Sequence, residues 1–148
     1  MPHTYTNLLV HIVFSTDGHV KLLTKARRAE VFAYMASLVK EKGGTPIIIN
    51  GVDDHVHMLV ELPPNIALSD VLRFVKANSS RWFKERFGVP FGWQRGFGAF
   101  SVSRSGAKAV AKYIEDQESH HQRRDFRSEF MTLLERNEVE CDEDYLWR

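Results

Sequence analysis

What most constrains this chain is the order in which its hydrophobic periodicity switches between two and 3.6 residues. Asn7–Ser15 (NLLVHIVFS) is branched and apolar and reads as a buried strand. Thr24 reads as the N-cap of a helix from about Lys25 to Lys42, with Val31, Phe32, Met35, Leu38 and Val39 at helical spacing and Gly43-Gly44 as its stop. Thr45–Asn50 and His55–Leu62 (HVHMLVEL) read as two strands. Gly51 and Asp53-Asp54 between them mark a tight turn, so the pair is a hairpin that Pro63-Pro64 ends. Ser69 opens a helix to about Phe87, carrying Val71, Leu72, Val75, Trp82 and Phe83; Gly88 and Pro90 close it. Phe91–Ser103 is aromatic and glycine-rich, which suits an irregular fourth strand with a preceding loop. Helical signals resume after Ser105-Gly106 and run through Tyr113 and Gln117, and a last helix spans about Asp125 to Arg136.

Strand, helix, strand, strand, helix, strand is the order of a ferredoxin-like (RRM-like) α+β fold. The expectation is an antiparallel sheet with helices on one face, plus a C-terminal tyrosine-bearing helix. A length of 148 residues suits one domain spanning 1–148, and 43% hydrophobic residues excludes a disordered chain. No run of about 18 apolar residues offers a membrane span. The N-terminus lacks a basic-then-apolar leader pattern, so a cytoplasmic protein is expected. One cysteine, Cys141, excludes an internal disulfide and a cysteine-rich zinc site. The net charge of +1 hides an asymmetry: residues 137–148 form an acidic tail, leaving the first 136 residues at +5. The tail reads as a solvated end, or as a segment docking on a basic face through Tyr145, Leu146 and Trp147.

The most informative triplet is His55-Val56-His57. Alternate residues of a strand share a face, so the two imidazoles point the same way with backbones roughly 6.6 Å apart. Val56 points to the other face with Met58 and Val60, into a core. Two imidazoles on one face can share a divalent metal. Taken alone, the triplet is better read as two half-exposed strand histidines with ordinary hydrogen bonds. Tyr113 and Gln117 stand four apart and project from one face of a helix. A tyrosine hydroxyl can be a nucleophile and an amide oxygen can complete a metal site. The pair is also compatible with plain packing, and Tyr5, Tyr34 and Tyr145 offer the same chemistry.

Together the features are specific. An HVH strand about 55 residues before a helical YIEDQ resembles the single-tyrosine HUH transposases, the small TnpA-type enzymes of the simplest bacterial insertion sequences. HIVFST, GVDDHVHMLVELPP, VLRFVKANSSRWF and WQRGFGAFSVS agree with it, and the resemblance covers about residues 5 to 120. It implies an enzyme that cuts and rejoins single-stranded DNA at hairpin-bearing ends. It implies Mg²⁺ or Mn²⁺ held by His55, His57 and Gln117, and attack by Tyr113 to give a 5′-phosphotyrosine and a free 3′-hydroxyl. Such an exchange conserves the phosphodiester energy and needs no nucleotide, in keeping with the lack of a G-x-x-x-x-G-K-[ST] loop. Two imidazoles and an amide suit Mn²⁺ better than oxygen-loving Mg²⁺. The resemblance also implies a homodimer whose tyrosine helix, hinged at Ser103, Ser105 and Gly106, serves the partner's histidines.

DNA binding needs cations for phosphates and platforms for unpaired bases. Arg73, Lys76 and Arg81 on the second long helix, and Trp93 and Arg95 before the tyrosine helix, are the candidates. Phe97 and Phe100 interleave with them. A solvated helix face is the plainer reading of the charges, as it is of His120, His121, Arg123 and Arg124. Two other functions compete. A two-histidine phosphoesterase needs two separated H-x-[ST] motifs, and only one histidine pair is present. A domesticated relative that binds hairpins without moving DNA has no need of both histidines, the tyrosine and the glutamine.

Overall fold

The computed structural model describes residues 3–120 and 124–142. Four strands, β1 (Leu9–Ser15), β2 (Thr45–Val52), β3 (His55–Glu61) and β4 (Gly98–Val102), form one sheet in the order β2-β3-β1-β4. Every neighbouring pair is antiparallel. This is the ferredoxin-like arrangement expected from the element order.

Helices cover both faces. On one, α1 (Lys25–Glu41) and α2 (Leu68–Phe87) bury Ile12, Phe14, Val56, Met58 and Val60 against Val31, Met35, Leu72, Val75 and Phe83. On the other, α3 (Ala107–Glu115) sets Ile114 on Leu9 and Leu59. Beside it α5 (Phe126–Arg136) sets Phe126, Phe130 and Leu134 on Val13 and Phe100. Covered on both sides, β1 and β3 read as nearly continuous apolar runs without alternation. The one-face expectation therefore holds for α1 and α2. The second face is apolar at Leu9, Leu59, Val13 and Phe100 and needs α3 and α5 as its cover.

Local details differ from the sequence reading. Thr24 stands at the N-cap of α1, but its hydroxyl makes no cap bond; its carbonyl accepts from the Arg27 and Arg28 amides. Helix α2 begins one residue before Ser69, with Ala67 as N-cap, and closes on left-handed Gly88 (φ 69°) as expected. The fourth strand is shorter than Phe91–Ser103. Residues before it are pinned to the sheet edge instead: Trp93 bridges Thr16, and the Ser15 amide donates to Gln94 Oε1 (2.7 Å). The helix expected to run through Tyr113 and Gln117 breaks at Asp116. Asn50 Nδ2 from β2 donates to the carbonyls of Ile114 (3.0 Å) and Glu115 (3.1 Å), closing the last turn of α3. A short helix α4 (Gln117–His120) follows, so tyrosine and glutamine arrive from successive helices.

Two glycines set close approaches. A Cβ on Gly51 would fall 2.2 Å from the His55 carbonyl oxygen, so only glycine lets β2 lie tight against the start of β3. A Cβ on Gly98 would meet the Phe130 ring at 2.5 Å, so this glycine lets α5 sit down on β4. Among the described residues no helix is long and apolar enough to cross a membrane. Residues 137–142 of the acidic tail are exposed. Tyr145, Leu146 and Trp147, like His121 and Arg123, lie outside the described residues.

Candidate active site

Strand β3 turns His55 and His57 toward the α3–α5 side, and both are fully buried rather than half-exposed. Burial follows from the two covering helices, which the sequence reading did not place over this face. Val56, Met58 and Val60 point into the opposite core, as the alternation requires.

Four candidate side chains converge on a residue that sequence reasoning passed over, Glu129 of α5. Its Oε1 accepts from His55 Nε2 (3.1 Å) and His57 Nε2 (2.8 Å). Its Oε2 accepts from the Tyr113 hydroxyl, in a short bond, and from Gln117 Nε2 (3.2 Å). Glu129 is only 2% exposed. A signal for it existed: Glu129 interrupts the apolar stripe of Phe126, Phe130, Leu133 and Leu134, where a helix packed on a sheet should carry a hydrophobic residue. His11 was passed over in the same way. It lies between Leu9 and Val13 on the inward face of β1, and is buried.

The far side of each imidazole is also held. His55 Nδ1 donates to Asp54 Oδ1 (2.8 Å), and His57 Nδ1 shares a proton with His11 Nε2 (2.8 Å). In the β1–β3 register His11 faces Leu59, so His57 is its diagonal neighbour and the rings stack at 5.1 Å. These contacts fix both rings with Nε2 directed at one point, the arrangement in which outer partners orient metal-binding histidines. Burial alone would lower the His55 pKa, but its hydrogen bonds to Asp54 and Glu129 outweigh burial and hold the imidazole above the usual histidine range. Burial, with His57 alongside, pushes His11 down to about 3. His11 is therefore a neutral partner throughout the physiological range.

Tyr113 is half-buried and meets His57 and His11 edge-on, with ring centroids 5.7 and 6.3 Å apart. Burial, reinforced by the Glu129 carboxylate, raises its hydroxyl well above the ordinary tyrosine range. The hydroxyl thus stays protonated at neutral pH and can attack only as its proton leaves, and Glu129 Oε2 is already its acceptor.

The donor set suits a divalent cation. His55 Nε2, His57 Nε2 and a Glu129 oxygen lie within 4.8 Å of one another. Gln117 Oε1 is buried and, among the described residues, has no hydrogen-bond partner. An orphaned amide oxygen beside two oriented imidazoles and a carboxylate is a polar cluster that a cation would satisfy.

Of the candidate DNA-binding residues, Arg73, Lys76, Trp93 and Arg95 line one open groove of about 550 Å³ with Phe97, between α2 and the segment before β4. Arg73 and Arg95 are exposed, and Arg73 pairs with Asp70. Lys76 Nζ donates to the carbonyls of Gln94 (2.9 Å) and Gly96 (2.6 Å), and burial lowers its pKa to about 8. Trp93 packs edge-on against Phe14 (4.9 Å) and donates to Ser79 Oγ (2.9 Å). Lys76 and Trp93 therefore shape the groove wall. Arg81 lies apart on α2, exposed and bonded to Asn78 Oδ1. Phe100 is buried under α5, whereas Phe97 is 38% exposed.

Comparison with known proteins bears on this site. Over 124 residues the chain is 29% identical to the transposase for insertion sequence element IS200 of Salmonella typhimurium, covering 79% of this chain and 81% of that protein. The Salmonella typhi IS200 transposase matches equally. Two solved structures share the fold. One is a Deinococcus radiodurans R1 protein assigned as a transposase (TM-score 0.64, 18% identity, 78% of this chain and 94% of that one). The other is a REP-associated tyrosine transposase bound to a REP hairpin (TM-score 0.60, 15% identity, 80% and 72%). The profile of the family described as "Transposase IS200 like" matches residues 4–117, a span that holds His55, His57, Tyr113 and Gln117. The chain belongs to the IS200-like transposase family.

Proposed function

We propose that this protein cuts and rejoins single-stranded DNA at hairpin-bearing ends of an insertion sequence, through a 5′-phosphotyrosine on Tyr113. What carries the reading is the convergence of Tyr113, His55, His57 and Gln117 on one buried point, although they come from three elements. The family supports transposition. The hairpin partner is carried over from the neighbour solved with a REP hairpin.

The chemistry follows from the side chains. Tyr113 Oη attacks the scissile phosphorus while its proton passes to Glu129 Oε2. The P–O3′ bond breaks, the departing 3′ oxygen takes up a proton, and the 5′ phosphate stays on Tyr113. A 3′-hydroxyl from another strand reverses these steps, so bond energy is conserved and no nucleotide is consumed. His55, His57 and Gln117 would hold a divalent ion, Mg²⁺ or Mn²⁺, which would supply Lewis-acid polarisation to the bound phosphate. Arg73 and Arg95 with exposed Phe97 offer phosphate and base contacts, Lys76 and Trp93 form the wall behind them, and Arg81 extends the basic face. The enzyme acts in the cytoplasm as one domain, without a membrane partner.

The test uses the intact protein with Mn²⁺ and labelled oligonucleotides from the DNA flanking its own gene. A covalent protein–DNA band is expected with single strands that can form the hairpin, and none with the same sequence fully duplexed, because bases stack on aromatic side chains only when unpaired. Equal reaction of the duplex contradicts the strand preference. Failure of every flanking strand to react contradicts the function.

We further propose a homodimer in which Tyr113 of one chain serves His55 and His57 of the other. Within one chain Tyr113 already lies against its own His57, so the shared arrangement needs α3 to swing about Ser103–Gly106. Complementation distinguishes the two. A heterodimer of Tyr113→Phe and His57→Ala, purified through two tags, regains one working centre if sites are shared. It stays inactive, while still binding the hairpin, if each site is completed within its own chain.

A further inference from the structure

We infer that Glu129 of α5 is itself a metal ligand, so that this chain binds its divalent ion through two histidines and a carboxylate, before DNA arrives. The inference deepens the proposed function and rests on its metal-dependent chemistry. Helix α5 lies beyond residue 117, where the family match ends, so the ligand comes from a part of the chain that the match does not reach.

Three observations carry it. The first is spacing. Two donors each about 2.1 Å from one ion and at right angles to it lie about 3.0 Å from each other. Glu129 Oε1 stands 3.1 Å from His55 Nε2 and 2.8 Å from His57 Nε2, the separation of adjacent ligands on one ion. The second is orientation. Asp54 and His11 hold the opposite ring nitrogens, so both Nε2 atoms are committed to the point where Oε1 lies. The third is the placement of Glu129. An exposed acid would prove nothing, but this one is 2% exposed, on the apolar stripe of a helix seated through Gly98 against β4. A carboxylate buried there needs cationic partners to offset its desolvation. The two oxygens then divide their work, Oε1 facing the histidines and Oε2 the Tyr113 hydroxyl and the Gln117 amide. One side chain links the metal position to the nucleophile. A carboxylate in the set also provides the anionic oxygen that two imidazoles and a neutral amide lack.

The experiment is metal binding by the full-length protein in the absence of DNA. Mn²⁺ is titrated into wild type, Glu129→Gln, Glu129→Ala and, as a control on the exposed side of α5, Glu135→Gln. Free Mn²⁺ is read by electron paramagnetic resonance and folding by circular dichroism. Glu129→Gln keeps the size and shape of the side chain and one of its two accepting oxygens, so it stays folded if the alanine variant does not. Mn²⁺ affinity is expected to fall at least about tenfold in both Glu129 variants and to be unchanged in Glu135→Gln. The visible spectrum of bound Co²⁺ is expected to change in Glu129→Gln, since an anionic ligand is removed or replaced by a neutral amide. A folded Glu129→Gln with wild-type Mn²⁺ affinity and an unchanged Co²⁺ spectrum overturns the assignment. Tighter binding also overturns it and makes Glu129 a plug that the metal must displace. Failure of the function is distinguishable: there the wild type forms no DNA adduct, whatever Mn²⁺ binding shows.

Discussion

Replacing Tyr113 by Phe is expected to abolish the covalent protein–DNA adduct and to lower strand cleavage at least about ten-thousandfold, the scale on which loss of a nucleophile acts. The phenyl ring keeps its edge-on contacts to His57 and His11. Hairpin binding is therefore expected to stay near wild type in a gel-shift titration, because Tyr113 is not among the residues that line the groove. The hydroxyl also donates to the Glu129 carboxylate, and losing a hydrogen bond to a charged group costs about 1.5–3 kcal/mol of stability in denaturant titration. The variant is thus measurably less stable, fully able to bind, and chemically silent. An adduct formed by the Phe variant would move the nucleophile elsewhere. The described alternatives are poorly placed: Tyr34 stacks on Trp82 on the α1–α2 side, and Tyr5 is 90% exposed ahead of the sheet.

Loss of either histidine is the second large effect. His55→Ala and His57→Ala are each expected to reduce Mn²⁺-dependent cleavage by at least about 100-fold, and Gln117→Ala by about tenfold. The ranking follows from what holds each side chain. The histidines stand on the sheet's interior strand β3, paired on both sides and covered on both faces, and their outer nitrogens are fixed by Asp54 and His11. Gln117 opens a four-residue helix just after the break at Asp116. Its amide contacts Glu129 at 3.2 Å, while its oxygen lacks a partner among the described residues. In the proposed site a rigid histidine pair would set the ion's position, and the looser amide of Gln117 would add to it. Cleavage is measured with Mn²⁺ and again with excess EDTA. An undiminished rate in EDTA removes the metal from the mechanism, and equal losses from all three variants remove the ranking.

The fold was legible because its determinants are local. The branched, apolar run HVHMLVE, helical spacing from Val31 to Val39 and the Asp53-Asp54 turn each act over a few residues, and together they dictate the element order. The motif residues were legible for the same reason: HVH on a strand places two side chains on one face whatever lies above them. What lay above them was not legible. The cover of the histidine face depends on α5 returning to the sheet, and that contact is made through Gly98 and Phe130, far apart in sequence. Glu129 was visible as an acid on an apolar stripe, but an acid there has no meaning until the stripe has a partner. The break at Asp116 was hidden likewise, since the side chain that ends α3 is Asn50, 64 residues before Ile114.

Gly98 has no chemistry of its own, yet it sets a clearance. Any side chain there meets Phe130 before it meets anything else and lifts α5 from the sheet, drawing Glu129 away from Tyr113 and the histidines. The position works as a spacer whose thickness is zero. One added methyl group on the backbone of an edge strand retunes the centre while every reacting group stays in the sequence. Variation in output among close relatives can therefore be sought at residue 98 and its contact at residue 130, where a search confined to the motifs would not look.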